Sequence, residues 1–246
     1  MKKQEPLSRR AALGVMAGGA AVIAAARNMA QAEATQEAVV VKGRIKQAVS
    51  RWCYGAIPLE AFCDHVKAIG LHGLDLMDPP DWPVVKAKGL EVTLANGPGN
   101  IAVGWNDPRN HDMLVKKAEE RLREVADAGL PNMVVFSGNR RGMPDDEGRK
   151  NCVKGLKRIL PLAEKLGINV IMELLNSKRD HKDYMCDHTA WGVALAKELA
   201  SERFKLLYDI YHMQIMEGDI IQTIRENITW IVPPALELDF SDGQNV

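Results

Sequence analysis

Excess charge of either sign is missing from this chain: 32 Lys and Arg balance 32 Asp and Glu over 246 residues. A dedicated nucleic-acid binder carries a basic excess, so that class is excluded. No run of like charges points to a polyanionic partner either. No Cys-x-x-Cys occurs, and Cys53, Cys63, Cys152 and Cys186 lack metal-type spacing. One disulfide is open to an exported chain, but a disulfide scaffold is not. Cys63 and Cys152 fall on apolar helical positions, where a buried thiol is the ordinary outcome. Also absent are G-x-G-x-x-G and the Walker pattern, so Asn96-Gly97-Pro98-Gly99-Asn100 reads as a loop and not a phosphate cradle. What is present is an apolar share of 46%, enough for a sizeable core.

The amino-terminal stretch stands apart. Ser8-Arg9-Arg10-Ala11-Ala12-Leu13-Gly14 sets paired arginines before a small, mildly apolar segment ending near Ala26, and Ala30-Gln31-Ala32 and Ala32-Glu33-Ala34 offer cleavage sites. Residues 1–34 therefore resemble a twin-arginine export signal, followed by a linker at 35–43. A single membrane anchor is the alternative, for which the apolar part is short and rich in Gly and Ala. The expectation is a soluble periplasmic protein with no membrane association after cleavage.

From about Lys42 a unit repeats: an apolar run ending in polar residues, a helical pattern closed by Gly, then the next apolar run. The junctions are Gly70-Leu71, Gly89-Leu90, Gly129-Leu130 and Gly167-Ile168. Gly after a helix followed at once by a strand argues for βαβ units and a parallel sheet. Strands are expected at 45–50, 73–77, 90–95, 132–137, 168–173 and 204–209. Pro161 should bend or divide the helix that precedes the fifth. Ile228-Thr229-Trp230-Ile231 begins like a seventh strand, and then the pattern stops, leaving an atypical tail at 232–246. A (β/α)₈ barrel usually takes about 250 residues. The fold class is thus α/β, of the (β/α)₈ TIM-barrel type but incomplete, with about six units in a domain at 44–231.

The fifth and sixth runs carry the chemistry. Ile168-Asn169-Val170-Ile171-Met172 reads as a strand buried on both faces and ends in Glu173, and Phe204-Lys205-Leu206-Leu207-Tyr208 ends in Asp209. Carboxylates at the carboxyl ends of neighbouring parallel strands suit a hard divalent cation. Taken singly, each could equally cap the following helix or meet an Arg. His188 reads as a helix-start residue bonded to Asp187. His65, His72 and His111 read as solvated, as do Lys178 and Arg179. Trp52, Trp105 and Trp191 suit a sugar pocket or ordinary packing.

Several strings together resemble hydroxypyruvate isomerase-like proteins of the xylose-isomerase-like TIM-barrel superfamily. They are Ser50-Arg51-Trp52-Cys53-Tyr54-Gly55, Ala95-Asn96-Gly97-Pro98-Gly99, Tyr184-Met185-Cys186-Asp187-His188-Thr189 and Leu207-Tyr208-Asp209-Ile210-Tyr211-His212-Met213-Gln214. The resemblance implies a metal-dependent isomerase or epimerase of a small sugar or hydroxy-keto acid. It makes Glu173 a metal ligand and acid/base, and Asp209 a ligand to Mg²⁺, Mn²⁺ or a similar ion. His212, Asn96 and Asn176 become substrate-binding residues. The usual Glu-Pro-x-Asn is here Glu173-Leu174-Leu175-Asn176. The strand-seven ligand, a Pro-Gly-Arg and the strand-eight Glu expected of the superfamily are not recognisable after Trp230, where Glu237 and Asp239 are the late carboxylates. An abrupt departure of this kind suggests a frameshift or truncation. The alternative function is therefore an impaired remnant or a non-catalytic binder of small polyols, with weak metal binding and a tendency to pair with another copy.

Overall fold

The computed structural model describes residues 46–232. The export segment, the linker, the start of the first expected strand and the tail carboxylates Glu237 and Asp239 lie outside the described residues. Among the described residues, no helix is long and apolar enough to cross a membrane.

Six strands form one sheet in chain order, every neighbouring pair parallel: β1 (Ala48–Ser50), β2 (Gly73–Met77), β3 (Glu91–Ala95), β4 (Asn132–Val135), β5 (Asn169–Glu173) and β6 (Phe204–Leu207). Between them run α1 (Leu59–Ala68), α2 (Trp82–Ala87), α3 (His111–Asp127), the pair α4 (Asp145–Leu156) and α5 (Leu160–Leu166), and α6 (Thr189–Leu199). After β6 come α7 (Ile210–Met216) and α8 (Ile220–Asn227). This is the expected repeat. The four junction glycines all lie at positive φ, from 67° at Gly129 to 84° at Gly70, which lets each helix end turn directly into a strand. Pro161 divides its helix as expected and sits in the first turn of α5, where its missing N–H costs nothing.

Side chains alternate across the sheet. Met133 and Val135, Val170 and Met172, and Phe204 and Leu206 enter the large core beneath the helices. Val134, Ile171 and Leu94 meet on the opposite, helix-free face, with Leu207 half-buried beside them. Two residues beyond Ile171, Glu173 inherits that inner face. Trp105 and Trp191 belong to the helix-side core, while Trp52 is exposed, so packing accounts for the first two.

The far edge of β6 is not bare. The Leu206 N–H donates to the Trp230 carbonyl at 2.9 Å, and the Val232 N–H donates to the Leu206 carbonyl at 2.9 Å. Ile231 makes an isolated parallel bridge to Leu206, while Ile228, Thr229 and Trp230 form a turn, so of the anticipated seventh strand only its last residue pairs. Val232 joins the inner apolar cluster.

Three expectations are corrected. Strand β6 stops at Leu207, so Asp209 does not end a strand; it occupies the N-cap of α7 and accepts the His212 N–H at 3.0 Å. His111 is buried, because the loop before it folds back and brings the Trp105 carbonyl to 2.9 Å from Nε2. His72 is half-buried with an unpartnered Nδ1. His188 holds to its reading, its Nδ1 lying 2.7 Å from Asp187 Oδ1.

The loop after β3 lies against the loop after β4: Trp105 and Asn106 donate backbone N–H groups to the Phe136 and Ser137 carbonyls. Gly104 makes that approach possible, since an added Cβ would sit 2.3 Å from both the Phe136 oxygen and the Gly138 nitrogen. Backbone cannot yield as a side-chain end does. Gly104→Ala should lower unfolding free energy by about 2 kcal/mol, read from denaturant midpoints. An unchanged midpoint would count against this contact.

Candidate active site

Glu173 closes β5 with only 9% of its surface exposed. Its own carbonyl is fixed by the Tyr184 hydroxyl, which donates to it at 2.9 Å and accepts the Ser137 N–H at 3.1 Å. Burial, with the Asp209 charge added to it, pushes the Glu173 carboxyl up to about 7 from an ordinary 4.5. Neither a hydrogen bond nor a cationic side chain offsets these two effects. Glu173 is thus a buried carboxyl that lacks compensation, at the end of the helix-free face of the sheet and beside the Asp209 charge.

Asp209 keeps one carboxylate oxygen for the His212 N–H and holds the other 3.9 Å from His212 Nε2. His212 is buried, which lowers its pKa against the raising influence of Asp209. Its Nδ1 lies 2.6 Å from Asn176 Nδ2. Asn176 is fully buried and also accepts the backbone N–H groups of Arg179 at 3.1 Å and Asp180 at 3.0 Å. Glu173, Asp209, His212 and Asn176 therefore form one continuous group. Asn96 stands elsewhere: its side chain donates to the Leu76 carbonyl and to Asp78, each at 3.1 Å, toward the end of β2.

Further residues complete the surroundings. The Tyr211 hydroxyl donates to Asp180 Oδ2 at 2.8 Å, and the rings of Tyr211 and His181 meet His212 edge-on at 5.1 and 5.2 Å. Lys178 is exposed as expected, yet its ammonium caps α7 by donating to the Met216 carbonyl at 2.7 Å. The loop from Asn176 to Asp187 is clamped by Arg140, which donates to Asp187 at 2.9 Å, to the Met185 carbonyl at 3.2 Å and to the Tyr184 carbonyl. Burial pushes the Asp187 carboxyl up, but hydrogen bonds from Arg140, Ser177 and His188 outweigh it and hold the group below the usual range.

The Glu173 and Asp209 carboxylates fit a hard divalent cation in kind. They do not suffice in number: among the described residues, no group of three or more His, Cys, Asp or Glu side chains is placed to hold a metal. Water and substrate oxygens would have to complete the shell.

Residues 84–233 match the xylose isomerase-like TIM barrel family. The Escherichia coli hydroxypyruvate isomerase is 24% identical over 173 residues, which cover 64% of this chain and 65% of that protein. The Cupriavidus necator 2-oxo-tetronate isomerase is 30% identical over 93 residues, or 36% of this chain and 35% of that one. The chain thus spans between about a third and just under two thirds of these curated relatives. Among solved structures, an AP endonuclease family 2 protein from Brucella melitensis superposes with a TM-score of 0.68 at 18% identity, covering 76% of this chain and 77% of that one. That likeness is one of fold.

Proposed function

We propose that this chain, which belongs to the xylose isomerase-like TIM-barrel family, is an isomerase or epimerase that moves a carbon-bound proton in a small hydroxycarbonyl compound. The observation that carries the reading is the buried Glu173 carboxylate at the end of the inner sheet face, with the Asp209 charge beside it and no hydrogen bond or cationic side chain to offset burial and that charge. A carboxylate that is costly to ionise is a stronger base than one in water, and a carbon acid next to a carbonyl needs such a base. Glu173 takes the proton and returns it to the same carbon or its neighbour. His212 holds a substrate oxygen beside it. Glu173 and Asp209 would hold a divalent cation such as Mg²⁺ or Mn²⁺, which when bound polarises the substrate's carbonyl and hydroxyl oxygens. The names of the two relatives support a short sugar-acid or keto-acid substrate, hydroxypyruvate among them. Export to the periplasm by the twin-arginine route belongs to the same proposal, resting on Ser8 to Leu13.

The second reading, a protein that binds a small polyol without turning it over, draws on the lack of a third ligating side chain among the described residues. Deuterium exchange separates the two. In D₂O with Mn²⁺ or Mg²⁺, the enzyme should replace the carbon-bound hydrogen of hydroxypyruvate or a ketohexose, seen as loss of its ¹H signal. Saturable binding of these compounds with no exchange above the uncatalysed background would favour the binder.

A further inference from the structure

We infer that Asn176 is a positioning residue that fixes the tautomer of His212, so that the imidazole carries its proton on Nε2. The orientation of the Asn176 amide is set by what its partners are able to do. Two backbone N–H groups, those of Arg179 and Asp180, can only donate, and they point at Oδ1 from 3.1 and 3.0 Å. The Asp180 carboxylate can only accept, and its Oδ2 lies 2.7 Å from Nδ2. Turning the amide over would set NH₂ against two N–H groups and a carbonyl oxygen against a carboxylate. The atom facing His212 Nδ1 at 2.6 Å is therefore the nitrogen, with one hydrogen for Asp180 and one for the ring.

A ring nitrogen that accepts a hydrogen bond carries no hydrogen of its own. The proton of the neutral imidazole then sits on Nε2, the atom on the Asp209 side at 3.9 Å from Oδ2. The Tyr211 hydroxyl at 2.8 Å holds Asp180 in turn. The edges of the His181 and Tyr211 rings flank the imidazole. Asn176 itself has all four hydrogen-bonding positions occupied and no exposed surface, so it touches no substrate. What the Nε2–H does there rests on the function proposed above: it donates to a substrate oxygen and neither removes a proton nor ligates a cation.

The tautomer is read directly by ¹⁵N NMR of the full chain labelled at histidine, with His212 assigned by the loss of its signals in His212→Gln. In the unmodified protein at pH 8, the Nε2–H form should exceed the Nδ1–H form by about tenfold or more. Asn176→Asp presents only acceptors to the ring and should move the proton to Nδ1. Asn176→Ala should leave both forms populated. A wild-type spectrum showing Nδ1–H, which needs no variant to fold, would overturn the inference, as would an Asn176→Asp spectrum unchanged from wild type. None of these spectra depends on turnover. A chain with the Nε2–H signature and no deuterium exchange would refute the proposed reaction alone.

Discussion

Glu173→Gln should melt about 6 to 12 °C higher than the unmodified protein at pH 8, while deuterium exchange into substrate falls by about a hundredfold or more. The thermal effect follows from where the carboxyl titrates. Its value is about 7 in the folded chain against 4.5 for an unperturbed group, so between those pH values the folded state keeps a proton that the unfolded state has released. Stability therefore falls as pH rises from about 4.5 to 7, and the full penalty, about 3 kcal/mol, persists above that window. Gln keeps the shape and cannot ionise, which removes the penalty. Below pH 4.5 the wild-type carboxyl is neutral in both states, and the two melting curves should converge. Scanning fluorimetry at pH 4, 6 and 8 measures this; a gain of the same size at every pH would show that charge is not its source. Adding Mn²⁺ at pH 8 should raise the melting temperature of the wild type more than that of the variant, because a cation supplies the compensation that the protein does not. A residue that weakens the fold and is required for the reaction is the expected signature of an active-site carboxylate.

How much of this was readable in advance depends on the range over which each feature is determined. Glu173 was legible because an unbroken apolar run says strand, and its first polar residue says strand end; both are local. The glycine–apolar junctions were legible for the same reason. Asp209 is legible as a carboxylate just past the sixth strand but not as the start of a helix, since the apolar run through Tyr208 extends the strand by pattern while the aspartate side chain captures the N–H three residues ahead and caps α7. An Asp ahead of a helical pattern was the signal for that cap. His111 shows the opposite limit. Its partner, the Trp105 carbonyl, comes near only because the loop folds back, and nothing in the periodicity of α3 marks a buried imidazole. The Asn176–His212 contact joins residues on two separate βα units and is set by the sheet, so the sequence suggested Asn176 as a substrate contact and gave no hint of its anchoring by Asp180. Arg140 carries no local mark of its role either, because its partners Tyr184, Met185 and Asp187 lie 44 to 47 residues further on and only the fold brings them to it.

Arg140→Met should cost about 3 kcal/mol and act on the site without touching it. Arg140 lies on the loop after β4, and its guanidinium joins Asp187, Asp145 and two carbonyls of the loop that begins at Asn176. The Asp187 side chain is only 5% exposed, so removing its cation leaves a buried carboxylate held by Ser177 and His188 alone. Breaking one side of a buried pair costs about 3 to 5 kcal/mol, and the 22% exposure of Arg140 sets this case at the lower end. Asp187→Asn keeps acceptors for Arg140 and should cost less. In the double variant the second substitution should add little, because the carboxylate that Arg140→Met strands is already gone; a coupling energy near zero in this cycle would mean that the pair contributes no clamp. The stability loss should be accompanied by a second change. With the loop freed, the Asn176 amide loses the frame that holds Asp180 and the Arg179 N–H in place, so the histidine ¹⁵N spectrum of Arg140→Met should show both His212 tautomers below its melting temperature. A spectrum identical to wild type would confine Arg140 to stability and separate the clamp from the site.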